Sequence, residues 1–228
     1  MENTFLSDLG IILFTLRVAA ESTLLIAPLA LALAVALRSL PVKLRTTIEA
    51  FVTLPLVLPP TAIGLVLFEL FSRRHPVGAA LDRMGVEILF TPTAAVIAAA
   101  VMSFPLMFRA FRLALDSSNF RLFDIARTLG VSRTGAFFRV IVPLSWPGIV
   151  TGLLLAWCRA IGEFGATVLV AGNIPARTQT ISMAIYNRVQ SGREGETVFL
   201  LASVVIVAFT ALAATEVLTR GQRRRLAR

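Results

Sequence analysis

The stretch SNFRLFDIARTLGVSRTGAFFRVIVP, Ser118 to Pro143, is the one long polar interval between strongly apolar segments. Asn119 suits an N-cap and Gly130 a left-handed stop after a helix. Between them Leu122, Phe123, Ala126 and Leu129 recur at helical spacing as one apolar stripe, with Arg121, Asp124 and Arg127 outside it. Ser132 suits the cap of a second short helix, and Pro143 marks the return to apolar sequence. The pattern predicts a basic, amphipathic helix-turn-helix that offers an apolar ridge to something outside a membrane. On pattern alone, a solvated loop lying on lipid headgroups fits equally well.

Composition identifies the solvent. Of 228 residues, 57% are hydrophobic and 15% are charged. A soluble domain of this size cannot hide that much apolar surface, so the chain is read as a bilayer protein. The net charge of +9 raises nucleic acid as a partner. The basic residues, however, cluster at the ends of apolar segments, so membrane lipid is expected and nucleic acid is not. The single Cys158 excludes an internal disulfide, and the single His75 without cysteine partners makes no metal site. The start, MENTFLSDLG, has no basic n-region, and no cleaved signal peptide is expected.

Outward from that interval, the apolar runs predict an all-α polytopic membrane helix bundle, one domain over 1–228, with about five transmembrane helices. They fall near 10–37, 48–71, 91–108, 140–171 and 198–218. Arg17 and Glu21, at i,i+4 in the first run, are read as an interfacial pair. Pro55, Pro59 and Pro60 in LPLVLPP require the second span to bend or break, and a broken span is expected to face the bundle interior. Pro105 predicts a kink near the end of the third span, and Pro143 a further break. The run 140–171 is too long for one straight span and is interrupted by Pro147-Gly148 and again by Gly162 to Ala166. The loops 38–49 and 109–139 and the tail GQRRRLAR are basic. Five spans with the N-terminus outside and the C-terminus in the cytoplasm satisfy all three, and a sixth span would not.

Spacing within 118–143 narrows the reading. Asp124-Ile125-Ala126, three residues, Gly130, nine residues, then Val140-Ile141-Val142-Pro143 resembles the E-A-A-x3-G-x9-I-x-L-P signature of ABC importer permeases. Ala126, Gly130 and Pro143 match outright and Asp124 keeps the charge. Ile125, Val140 and Val142 depart from the pattern. The resemblance implies the type I ABC importer permease fold with cytoplasmic coupling helices. It also implies that Arg121, Leu122, Phe123, Asp124, Ala126, Arg127, Leu129 and Gly130 dock on a cytoplasmic ATP-binding subunit.

A second stretch, Arg159 to Thr180 (RAIGEFGATVLVAGNIPARTQT), carries glycines around Glu163-Phe164 that allow a helix to break. Arg159 stands at i,i+4 from Glu163 and is its candidate partner. The stretch resembles the A-R-x-x-G-E-F-G-A-T…G-N-x-P-x-x-T-x-T pattern of molybdate-type permeases, and the likeness extends from about Leu16 to Leu218. It implies a translocation path past Gly162, Glu163, Phe164 and Gly165. It further implies a second copy of the chain, two ATP-binding subunits, a periplasmic or tethered molybdate-binding protein, and the inner (plasma) membrane of a bacterium. Tungstate, sulfate and thiosulfate are the rival cargoes; the latter two permeases usually carry Tyr at the Phe164 position. No Walker A, GxSxG, HExxH or CxxC pattern occurs. No catalytic residue, cofactor or metal is therefore expected, and the chain is read as a permease without its own ATPase site. A secondary transporter is the remote alternative; it should show inverted repeats and intramembrane charges for ion coupling.

Overall fold

The computed structural model describes residues 2–117 and 121–226, with side chains described over 6–116 and 121–216. Among these residues there is no strand. The first helix, α1 (Glu2–Ala36), ends in a 3-10 turn at Leu37–Ser39 and is followed by α2 (Val42–Val57) and α3 (Pro60–Phe71). Then come α4 (Pro76–Arg83), α5 (Pro92–Ser117), α6 (Arg121–Thr128) and α7 (Arg133–Ala136). A π-helical turn at Phe137–Ile141 leads into α8 (Val142–Ile161), α9 (Gly165–Ala171), α10 (Ile181–Gln190) and, after a 3-10 turn, α11 (Val198–Leu226).

Two apolar clusters set the direction of every long element. Near one end Val18 and Ala19 of α1 meet Leu67 of α3, Ala94 and Ala95 of α5, Ile161 of α8 and Val170 of α9. Near the other, Leu37 of α1 meets Phe111 and Leu115 of α5 and Ile149 of α8, with Ile48 and Val52 of α2 against them. Ala94, Ala95, Ala98 and Ala99 are all buried; with no side chain beyond Cβ they let α5 approach α1 closely. Four helices are long and apolar enough to cross a membrane singly. The pair α2–α3, bent by 107°, makes a fifth when taken as one broken span; α2 packs in the second cluster and α3 in the first. Leu200 of α11 packs with Ile11 and Ile12 of α1 beyond the first cluster, so α11 runs back toward the second.

Proline behaves differently from the sequence expectation. The break in the second span falls at Leu58-Pro59, and Pro60 opens α3 at a position whose N–H has no helical partner to lose. Pro55 and Pro105 lie inside helices that continue through them, as do Pro28 and Pro147. A lone proline removes one backbone bond, which packing in the bundle outweighs; two in succession with an extended Leu58 do end the helix. Pro143 is not a break either, because one helical rod runs from Arg133 to Ile161. The π turn just before it carries a Val142 N–H to Phe137 carbonyl bond, and the wider turn makes room for the ring against the preceding carbonyls. LPLVLPP, expected to face the bundle interior, is open in the single chain: Val57 is 83% exposed and Leu54, Leu56 and Leu58 are exposed beside it. Arg17 and Glu21 do pair, Nε to Oε1 2.6 Å, on the exposed face of α1.

Candidate functional site

The loop 121–136 is held by its caps. Gly130 stands at φ +84°, its N–H donates to the Arg127 carbonyl (3.1 Å), and Val131 N–H donates to Ala126 (3.1 Å). These two bonds close a Schellman stop, and the left-handed residue they require is the glycine. Ser132 Oγ accepts from Gly135 N–H (3.1 Å) and starts α7. The expected cap Asn119 lies outside the described residues.

Within α6 the predicted stripe divides in two. Phe123 packs against the cluster containing Leu37 and Phe111 and seats the helix on the bundle. Leu122, Ile125 and Leu129 are 42%, 53% and 78% exposed and share the opposite edge at i, i+3 and i+7. Ile125, a departure from the family pattern, thus belongs to the outward ridge, while Phe123 does not. Ala126 is half-buried, and Arg121, Asp124, Arg127 and Gly130 are exposed. Asp124 borders a groove of about 580 Å³ that also meets Arg38, Arg133 and Phe137. Beyond α7 the rod 133–161 begins at once, so α6 sits on the end of a 29-residue helix, about 43 Å long at 1.5 Å per residue.

That rod ends at the second predicted site. Gly162 closes α8, Phe164 leaves helical geometry at φ −136° and ψ −56°, and α9 starts at Gly165. The buried Glu163 bridges the gap: Arg159 Nη1 donates to Oε2 (2.7 Å) and Ala166 N–H donates to Oε1 (2.9 Å). The carboxylate thus ties the last turn of α8 to the first turn of α9 and meets its positive end. With its side chain 2% exposed it faces protein rather than open space, unlike Gly162 beside it. The Phe164 ring lies 5.1 Å from that of Tyr186 on α10.

Both breaks lie at one level. A Cβ on Gly165 would stand 2.8 Å from Pro60 Cβ, and one on Gly64 would stand 2.8 Å from Ala166 Cα, so α3 and α9 touch backbone to backbone just beyond their starts. The G-N-x-P-x-x-T-x-T segment is a locked turn: Thr178 Oγ1 accepts from Ile174 N–H (3.1 Å), and Gln179 Nε2 donates to Asn173 Oδ1 (2.9 Å). Thr15 of α1 then accepts from Ile181 N–H (3.0 Å). Nearby, Asp8 accepts from Arg188 in a buried pair, and that hydrogen bond raises the Arg188 guanidinium above its ordinary pKa. Sequence reading missed this pair because its members are separated by most of the chain.

A family profile described as binding-protein-dependent transport system inner membrane component matches residues 26–227. The molybdenum transport system permease protein ModB of Escherichia coli K12 is 42% identical over 186 residues, 81% of each chain. That of Haemophilus influenzae is 36% identical over 221 residues, 96% of each chain. Among solved structures, an inward-facing MetNI methionine ABC transporter chain superposes with TM-score 0.73 at 17% identity, over 97% of this chain and 99% of that one. A bacterial alginate ABC transporter, solved with an alginate-bound periplasmic protein, gives 0.70 at 19%, over 95% and 78%. The structural likenesses establish a shared fold. With the profile spanning nearly the whole bundle and relatives this similar over most of their length, the chain belongs to the family of binding-protein-dependent transport system inner membrane components.

Proposed function

We propose that the chain is the permease subunit of an ATP-driven molybdate importer. Two copies form the path, two cytoplasmic ATP-binding subunits grip the α6 loops, and a periplasmic or tethered protein delivers the anion. The observation that carries the mechanism is the continuous rod joining the α6 ridge to the Gly162–Phe164 break. The cargo rests on relatives that are molybdenum permeases.

The orientation follows from charge: the α6 end, with Arg38, Arg45, Arg112 and Arg121 to Arg139, is cytoplasmic, and the Asp8 end is outside. Exposed Leu54 to Pro60, against which α9 begins, faces the second copy, and the anion passes this level beside Gly162, Phe164 and Gly165. Glu163 acts by holding the break; its charge is already met by Arg159 and the α9 terminus, so it does not repel the cargo. When ATP brings the ATP-binding subunits together, the α6 loops are drawn together. Each rod moves as a unit and the breaks absorb the change in angle.

The test is uptake of labelled molybdate by cells whose own uptake is deleted, supplied with the full transporter, with tungstate and sulfate as competitors. ATP-dependent uptake that sulfate does not displace is expected. Uptake that persists after ATP depletion refutes the importer reading, and displacement by sulfate alone refutes the cargo.

A further inference from the structure

At the α6 end of the bundle, five charged side chains form a ladder across α2, α5 and the 3-10 turn after α1. Arg45 Nε donates to Glu49 Oε1 (3.1 Å), which also accepts from Arg112 Nη1 (2.6 Å). Arg112 Nε donates to Asp116 Oδ2 (2.9 Å), and Arg38 Nη1 donates to Asp116 Oδ1 (3.1 Å). One guanidinium edge is left over. Arg112 is 7% exposed, yet its Nη2 is buried without a hydrogen-bond partner among the described residues. A buried charged donor with no acceptor is unfavourable, and an anion brought close to it offsets part of that cost.

Four of these residues, Arg45, Glu49, Arg112 and Asp116, wall a cavity of about 600 Å³ between α2 and α5, where Arg109 joins them. Arg109 is exposed and makes no ion pair among the described residues. The cavity wall thus carries Arg45, Arg109 and Arg112 against Glu49 and Asp116, one positive charge in surplus. The hydroxyls of Thr46 and Thr53 are spent on their own helix, so the guanidinium groups are the available donors. Phe51 on α2 and Leu113 on α5, 76% and 71% exposed, flank the charged wall.

We propose that this cavity binds a tetrahedral oxyanion group, held by Arg109, with the buried guanidinium of Arg112 behind it. A planar fork presents paired N–H donors to two oxygens of such a group, and the surplus charge matches its own. Two sources share this chemistry: the phosphate of an anionic lipid, whose chains would lie along Phe51 and Leu113, and a free oxyanion at the cytoplasmic end of the path. The lipid arm does not depend on which anion the transporter carries.

The test uses the whole transporter with its ATP-binding subunits, without delivery protein, in nanodiscs. In phosphatidylcholine discs, binding of labelled molybdate and of inorganic phosphate is measured. In discs with added phosphatidylglycerol, retained lipid is counted by native mass spectrometry after release into neutral detergent. Arg109→Gln is the test variant, because Arg109 is exposed and its loss breaks no pair; Arg109→Lys restores the charge. Arg109→Gln should weaken retention about tenfold or more, as loss of a charge-assisted hydrogen bond does, and Arg109→Lys should recover part of it. Arg109-dependent binding in the first discs identifies a free oxyanion; Arg109-dependent retention in the second alone identifies a lipid headgroup. Equal behaviour of the unmodified protein and Arg109→Gln in both overturns the site. Molybdate uptake is a separate readout, so failure of the importer reading would not be mistaken for failure here.

Discussion

Gly130 offers a perturbation in which backbone and packing separate cleanly. Its φ is +84° and no atom stands within 4 Å of where a Cβ would be, so a side chain there meets no clash. What it meets is the left-handed conformation, which costs an L-residue about 1–2 kcal/mol. Asn adopts it more readily than Ala, so Gly130→Asn should lie between glycine and Gly130→Ala. Gly130→Pro is of another kind: its ring holds φ near about −65°, and it has no N–H to donate. It must therefore lose the Schellman stop, including the 3.1 Å bond to Arg127. The two apolar clusters do not involve Gly130, so all three variants should insert and accumulate normally. In proteoliposomes with the ATP-binding subunits and delivery protein, uptake should fall in the order Gly, Asn, Ala, Pro. A 1.4 kcal/mol penalty is about a tenfold change in the population of the correctly capped loop. Gly130→Ala should therefore lose up to about that factor, and Gly130→Pro nearly all coupled uptake. Full uptake by Gly130→Pro, or equal activity across the series, would refute the rigid-loop reasoning.

Other consequences follow from the same geometry. Gly165→Val places atoms against Pro60, where even a Cβ would stand at 2.8 Å, and should prise α9 from α3; ATP hydrolysis should persist while uptake per ATP falls in a paired assay. Glu163→Ala leaves the Ala166 N–H and the Arg159 guanidinium without their acceptor and should lower stability by about 1–3 kcal/mol, read as the midpoint of thermal unfolding in detergent. Leu129→Asp on the exposed ridge should leave that midpoint unchanged but reduce recovery of the ATP-binding subunit in a pull-down, as should Asp124→Lys.

Much of the fold is legible in the sequence because a bilayer imposes strict rules. Runs of apolar residues bounded by arginine locate five crossings, and the Gly130 stop and Ser132 cap are readable because each has one local physical cause. Proline is where local reading falls short. Pro55 and Pro105 each remove one bond and are carried by packing, whereas Pro59-Pro60 also constrains Leu58 to an extended conformation and does break the helix. The π turn ahead of Pro143 has no simple sequence signal. The division of the α6 stripe needed the seat of Phe123, a tertiary fact. At the second site the Arg159–Glu163 spacing is readable, but not that the carboxylate also caps α9, nor that Gly165 lies on Pro60. The charge ladder is half visible: Arg45 and Glu49, and Arg112 and Asp116, stand four apart, but the Glu49–Arg112 link that joins them spans 63 residues.

Cryo-electron microscopy of the chain with its ATP-binding subunits, with and without nucleotide, bears most directly on how work enters the membrane. Leu122, Ile125 and Leu129 should be buried in the ATP-binding subunit in both states. The helix 133–161 should move as one body, with the change in angle taken up at Gly162–Phe164. A ridge left in water, or a rod that bends at Phe137–Ile141 while the Gly162–Phe164 break keeps its shape, would contradict that route.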